Sequence, residues 1–172
     1  MADPANPSTS TAIARKQDNH VTRLSSYLNP RMKNLAEYAR NGVKPETMVR
    51  LAVYEASKSD WMQKVTPESV YASLIIAAQL GLEPSGARGE AYLVPFKGQC
   101  SLMPGYRGLI KLALNSRAVK SIRSRVVYEG DEFAVMLGTD ETIHHKPVMD
   151  RIVTEEPPRL IAAYAIAEMA DG

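Results

Sequence analysis

"TPESVYASLIIAAQLG" (Thr66–Gly81) leads through the glycine-rich "LEPSGARG" (Leu82–Gly89) into "EAYLVPFKGQCSLM" (Glu90–Met103). The fold class turns on this passage, because the period of the apolar pattern changes inside it. Thr66 carries the side chain of an N-cap, Pro67 suits the first helical position, and Gly81 suits the C-cap. Val70, Ala77 and the run Leu74-Ile75-Ile76 make the segment apolar nearly all round, which predicts the buried helix of the fold. Beyond Gly89 the spacing shortens to that of strands. Lys97-Gly98 reads as the two-residue turn of a hairpin, and Pro95, which cannot donate a ladder hydrogen bond, points to an edge position.

Towards the N-terminus the pattern is helical. "KPETMVRLAVYEASK" places Pro45 at a helix start, with Met48, Leu51, Ala52 and Glu55 as one stripe that turns polar. Arg31–Arg40 is a further helix ended by Asn41-Gly42, and Val21–Asn29 a short one ended by Pro30. Residues 1–20 lack apolar periodicity and read as a flexible arm, leaving 21–172 as the domain. Towards the C-terminus, "PGYRGLIKLALNS" returns to helical spacing, with Tyr106, Leu109, Ile110 and Ala113 as its apolar wedge. "VKSIRSRVVYEG" is β-branched and strand-like. "EFAVMLG" and "TIHHKPV" form a second hairpin about Gly138-Thr139-Asp140, and Leu160–Met169 is a last, apolar strand. Asp171-Gly172 is a hairpin signal with no return strand, so that strand is expected to carry an open edge prone to self-association. The predicted class is α+β: an N-terminal helical block, then a β-hairpin, a helix and antiparallel strands.

The 172 residues, 45% apolar and 23% charged, suit one soluble domain with a real core. No apolar run approaches the roughly 20 residues of a membrane span, and the N-terminus lacks a secretory core, so a cytoplasmic setting is expected. Cys100 stands alone, which excludes a disulfide framework or a cysteine metal cluster.

The net charge of +2 conceals a sharp asymmetry. Residues 86–128 hold eight Lys or Arg against Glu90 alone, a balance of +7, whereas residues 129–172 balance at −7. A merely solvating face mixes signs, so the basic block points to a polyanion. On the helix at 105–115, Arg107, Lys111 and Asn115 share a face. On the strand that follows, Ser121, Arg123 and Arg125 share one face, with Ile122, Val126 and Tyr128 on the other; strict alternation puts Lys120 with the apolar set unless the strand begins after it. Such cations position phosphates without reading sequence. Tyr92, Phe96, Tyr106 and Tyr128 flank them, and a base stacks on an aromatic ring whatever its identity. The candidate DNA-binding residues are Arg88, Lys97, Tyr106, Arg107, Lys111, Arg117, Lys120, Arg123 and Arg125.

Two other chemistries compete. Glu83, Glu90, Asp131 and Glu132 could serve a metal-dependent nuclease if they converged on a cation. The basic face could also meet another protein. "GLEPSGARGE" lacks the Gly-Lys-Ser/Thr and the preceding strand of a phosphate loop. His144 and His145, adjacent on a strand, point to opposite faces and make no metal site together. An electrostatic role suits the acidic segment better, facing a basic surface on a neighbouring subunit.

The stretches "QLGLEPSGARGEAYLVPF", "GYRGLIKLALNS", "VKSIRSRVVYEGDEF" and "HHKP" follow one another between Gln79 and Pro147. In order and spacing they resemble the RecT family of phage-type single-strand annealing proteins, relatives of Redβ. The resemblance extends over most of the chain beyond about Met48. It implies binding of single-stranded DNA, annealing of complementary strands through a duplex intermediate without ATP or another cofactor, and no catalytic residues. It also implies a homo-oligomer, as a ring or helical filament, and for a full-length member a partner exonuclease and a host single-strand-binding protein. The family domain continues past Gly172, so the chain is expected to be an N-terminal part of it.

Overall fold

A computed structural model describes residues 20–149 and 158–171. Most of the expected N-terminal arm and the final Gly172 lie outside them. The chain is α+β and divides into two compact units, residues 1–112 and 113–172.

The first unit is built on helices. Residues 20–28 are helical (α1) and continue through a 3-10 turn at Asn29–Arg31 into α2, Met32–Tyr38. Helix α3 spans Pro45–Lys58 and α4 spans Pro67–Leu80, each with proline in its first turn as expected. The N-cap of α4 is Thr66, whose hydroxyl accepts the Ser69 N–H at 3.3 Å, an arrangement that contributes about 1 kcal/mol. At the other end Gly81 takes φ +66°, and the N–H groups of Gly81 and Leu82 close onto the carbonyls of Ala78 and Ala77. That is a Schellman ending, and Leu82 is fully buried beneath it.

Leu24, Leu28, Leu35, Met48, Ala52, Leu74 and Ala77 lie in the core of this unit. Two expectations are corrected here. The buried stripe of α3 runs Met48, Val49, Ala52, Ala56, one position round from the Met48, Leu51, Ala52, Glu55 stripe. Helix α4 has an open side after all, since Ile76 is 48% exposed. The 3.6-residue period selects a face only to within about one residue when Leu, Val and Ala alternate this densely.

Strands β1, Ala91–Phe96, and β2, Gln99–Pro104, form the expected hairpin, and Lys97 and Gly98 both take positive φ, as a type I′ turn requires. Pro95 stands opposite Cys100, whose N–H turns outward to the Ser69 hydroxyl at 2.9 Å. The Ser73 hydroxyl donates to the Cys100 carbonyl at 3.0 Å. Two serines one turn apart on α4 thus satisfy the outer edge of β2. In this two-stranded sheet, Pro95 does sit on an edge.

Helix α5, Tyr106–Asn115, corrects half of its predicted wedge: Ile110 and Ala113 are half-buried, but Tyr106 and Leu109 are exposed, and the fully buried residue is Gly108. Any Cβ at Gly108 would collide with the Glu90 carbonyl oxygen. The helix therefore approaches its neighbour through its smallest residue, a contact that apolar periodicity cannot reveal.

The second unit is made of two antiparallel ribbons. Strand β3, Val119–Tyr128, pairs with β6, Leu160–Met169; β4, Glu132–Met136, pairs with β5, Thr142–Lys146. Arg123 faces Ile166 and Arg125 faces Tyr164 across the first ribbon. The register breaks between Val119 and Ser121, so Lys120 is the extra residue of a bulge and points to solvent without joining the apolar set. The core side of β3 is also corrected. Val127, on the arginine face, is its fully buried residue, while Val126 is 46% exposed.

Candidate nucleic-acid interface

In the first unit the loop between α4 and β1 is braced by charge. Glu90 accepts Lys111 Nζ at 2.8 Å and the Glu83 N–H at 3.0 Å, and Arg88 donates to Glu83 at 2.9 Å. Burial raises the Glu90 pKa, but the Lys111 hydrogen bond, the Glu83 N–H and the charges of Lys111 and Arg88 outweigh it and hold the group below its ordinary value. Lys111 is half-buried in this pair, whereas Arg88 remains largely exposed. Of the expected cations, these two are the ones tied to carboxylates within the unit.

Tyr106 and Arg107 open α5 and face solvent. Arg107 Nε donates to the Tyr106 hydroxyl at 3.0 Å, and its guanidinium stands 5.7 Å from the ring centroid. The hydrogen bond raises the pKa of Arg107 further, which leaves it permanently cationic. A ring and a guanidinium held side by side in water offer a base a stacking surface and its phosphate a fork of donors. Lys97 sits at the hairpin tip, its ammonium 5.2 Å from the Phe96 centroid.

In the second unit Arg117 occupies the left-handed turn after α5 at φ +61°, its N–H on the Leu114 carbonyl. Arg123 reaches Glu168 at 3.7 Å, and Arg125 folds back to donate to the Ser124 carbonyl at 2.8 Å. Arg117, Lys120, Arg123 and Arg125 are all exposed. The expected stacker Tyr128 is half-buried. Arg125 also borders a cleft of about 950 Å³ lined by Val126, Tyr128, Ala163 and Tyr164.

The carboxylates do not make a nuclease centre within either unit. Glu83 and Glu90 are bound by Arg88 and Lys111. Asp131 accepts the N–H groups of Tyr128 and Val148 and lies 3.3 Å from His145 Nε2, with only 1% of its side chain exposed. Glu132 turns outward to His144 at 3.7 Å. The two histidines diverge as strand geometry demands. Among the described residues no three His, Cys, Asp or Glu side chains gather as metal ligands.

Two features escaped the sequence reading. His145, Asp131, Tyr164 and Phe133 form one half-buried cluster: His145 Nδ1 lies 3.1 Å from the Tyr164 hydroxyl, and Phe133 stacks on Tyr164 at 5.9 Å. The other is Trp61, 69% exposed with Lys64 Nζ 4.5 Å from its ring. The spacing "WMQK" was its only signal.

A family model described as the RecT family matches residues 46–172. The chain belongs to the RecT family. It is 37% identical over 157 residues to Protein RecT of Escherichia coli (strain K12), a match that takes in 86% of this chain and 56% of that protein. It is 36% identical over 81 residues to an uncharacterized protein, YqaK, of Bacillus subtilis (strain 168), covering 47% of this chain and 28% of that one. The chain thus spans about half the length of the first relative and less of the second. All nine expected site residues fall inside the family match.

Proposed function

We propose that the chain binds single-stranded DNA without sequence preference and supports ATP-independent annealing of complementary strands in phage-type recombination. One observation carries this reading: segment 86–128, at +7, keeps most of its cations in solvent, with Arg107 fixed beside an exposed tyrosine. Phosphates take the cations and bases take the rings, and neither contact depends on sequence. Membership of the RecT family supports the recombination setting.

Lys97, Tyr106, Arg107, Arg117, Lys120 and Arg125 are the primary contacts. Arg123 contributes with its charge partly offset by Glu168. Arg88, from within the α4–β1 loop, and Lys111, from α5, act mainly by holding that loop. The protein works as a homo-oligomer on DNA in the cytoplasm, alongside an exonuclease that exposes the strand and a host single-strand-binding protein. No catalytic step is assigned to it. Among the described residues no helix is long and apolar enough to cross a membrane.

Incubation with a labelled strand and its complement, with and without magnesium, tests the proposal. Faster duplex formation independent of magnesium and ATP is expected. Shortening of the labelled strand would establish a nuclease instead, and indifference to DNA would leave the basic face to a protein.

A further inference from the structure

The chain's single tryptophan plays no part in its core. Trp61 is 69% exposed although Met62 and Val65, which follow it, are 2% and 4% exposed. The buried pair anchors the short 3-10 turn Met62–Lys64, and the turn holds the indole out into water. Lys64 covers the ring at 4.5 Å. The next residue but one, Thr66, donates its N–H to the Gly98 carbonyl at 3.1 Å, tying this turn to the tip of the β1–β2 hairpin. There Phe96 is 65% exposed, with its own lysine, Lys97, at 5.2 Å. Two exposed rings, each with its own ammonium, therefore flank one hydrogen bond. Among the described residues neither lysine is ion-paired, and the nearby Asp60 is engaged by the Gln63 amide at 3.4 Å.

We infer that Trp61 and Phe96, with Lys64 and Lys97, form a stacking site for unpaired bases of single-stranded DNA. The inference rests on the proposed function for its ligand and adds Trp61 and Lys64, which lie outside the basic segment. A cation on one face of an aromatic ring fixes the ring and leaves the opposite face for a base. The same ammonium then reaches the phosphate beside that base. Only a base free of its complement can offer its whole face to the indole, so the site discriminates between single strand and duplex.

Trp61 is its own probe. The full chain is titrated with a fluorescein-labelled oligothymidine and, in parallel, with a labelled duplex of equal length. Tryptophan emission and label anisotropy are read over the same concentrations. Emission should fall on the single strand, saturate together with anisotropy, and stay unchanged on duplex. Trp61→Ala should weaken single-strand binding about tenfold, while Trp61→Phe should recover most of the loss with unchanged melting. If anisotropy saturates but emission is flat and Trp61→Ala binds like the wild type, the stacking site is refuted and DNA binding stands. Equal quenching by duplex also refutes it. No rise in anisotropy with either DNA overturns both readings.

Discussion

In the first unit Met48, Ala52, Leu74 and Ala77 of α3 and α4 are all fully buried, whereas among the described apolar residues of the second unit only Val127 reaches that state. Leu160, Ile161, Ile166 and Met169 of β6 and Met136 and Leu137 near the β4–β5 turn remain open. Oily contact packs the helices of the first unit. The second is held by strand pairing and by the Asp131–His145–Tyr164–Phe133 cluster. The difference is one of which term does the stabilising: area removed from water on one side, hydrogen bonds and stacked rings on the other. It also separates the site. The ring-and-cation pairs Tyr106–Arg107 and Phe96–Lys97 stand on the packed first unit, and Arg123 and Arg125 stand on a ribbon in which, among the described apolar residues, Val127 alone is fully buried.

The largest effect expected from this contrast is at Leu74. Truncation to alanine leaves a cavity in the core of the first unit and should cost about 3–5 kcal/mol in chemical denaturation. A loss under 1 kcal/mol would mean the helical core is far looser than its burial suggests. Gly108→Ala comes next, at about 1–3 kcal/mol, because the added Cβ meets the Glu90 carbonyl oxygen and α5 must move. The same shift displaces Tyr106 and Arg107, so DNA affinity should fall with stability; a neutral substitution would show that α5 is not seated on that backbone. Val127→Ala should cost about 1–2 kcal/mol, less than Leu74→Ala, since its ribbon has little core to collapse. The reverse order would dissolve the contrast between the units.

The smallest effect concerns pH. Glu90 has a lowered pKa in the folded chain, so its contribution is present above the ordinary carboxylate range of about 4.3 and fades as pH falls through the folded value. Melting temperature should therefore drop more between about pH 6 and about pH 3 in the wild type than in Glu90→Gln. Identical acid limbs would remove the Lys111–Glu90 pair from the account.

Much of the fold was legible because its signals are local. Thr66, Pro67 and Gly81 mark the ends of α4 by capping chemistry, and Lys97-Gly98 fixes a hairpin in two residues. What escaped was non-local. The pairing of β3 with β6 joins segments separated by an intervening hairpin, and alternation alone cannot say which of Val126 and Val127 points inward, because the two are alike in sequence. Gly108 carries no apolar signal, yet it seats α5. At the candidate site, the concentration of charge was visible from Arg88 to Arg125. The engagement of Arg88 and Lys111 by Glu83 and Glu90 was not, because it depends on how one loop closes. Trp61 lies far from the basic block in sequence, and the segment that carries it is tied to the hairpin tip by the Thr66–Gly98 hydrogen bond.

The central claim is that exposed cations hold a single DNA strand by its phosphates. Among the described residues Lys97, Arg107, Arg117, Lys120 and Arg125 have no carboxylate within ion-pair range, and each neutralised phosphate contributes roughly −0.7 to the log–log dependence of affinity on salt, giving a slope of about −3.5. Affinity for a labelled single strand of mixed sequence, measured across a salt series, tests this most directly. The account predicts a slope near that value, the same for unrelated sequences, and a shallower one for Arg107→Ala. A slope near zero, or strong preference for one sequence, would contradict it.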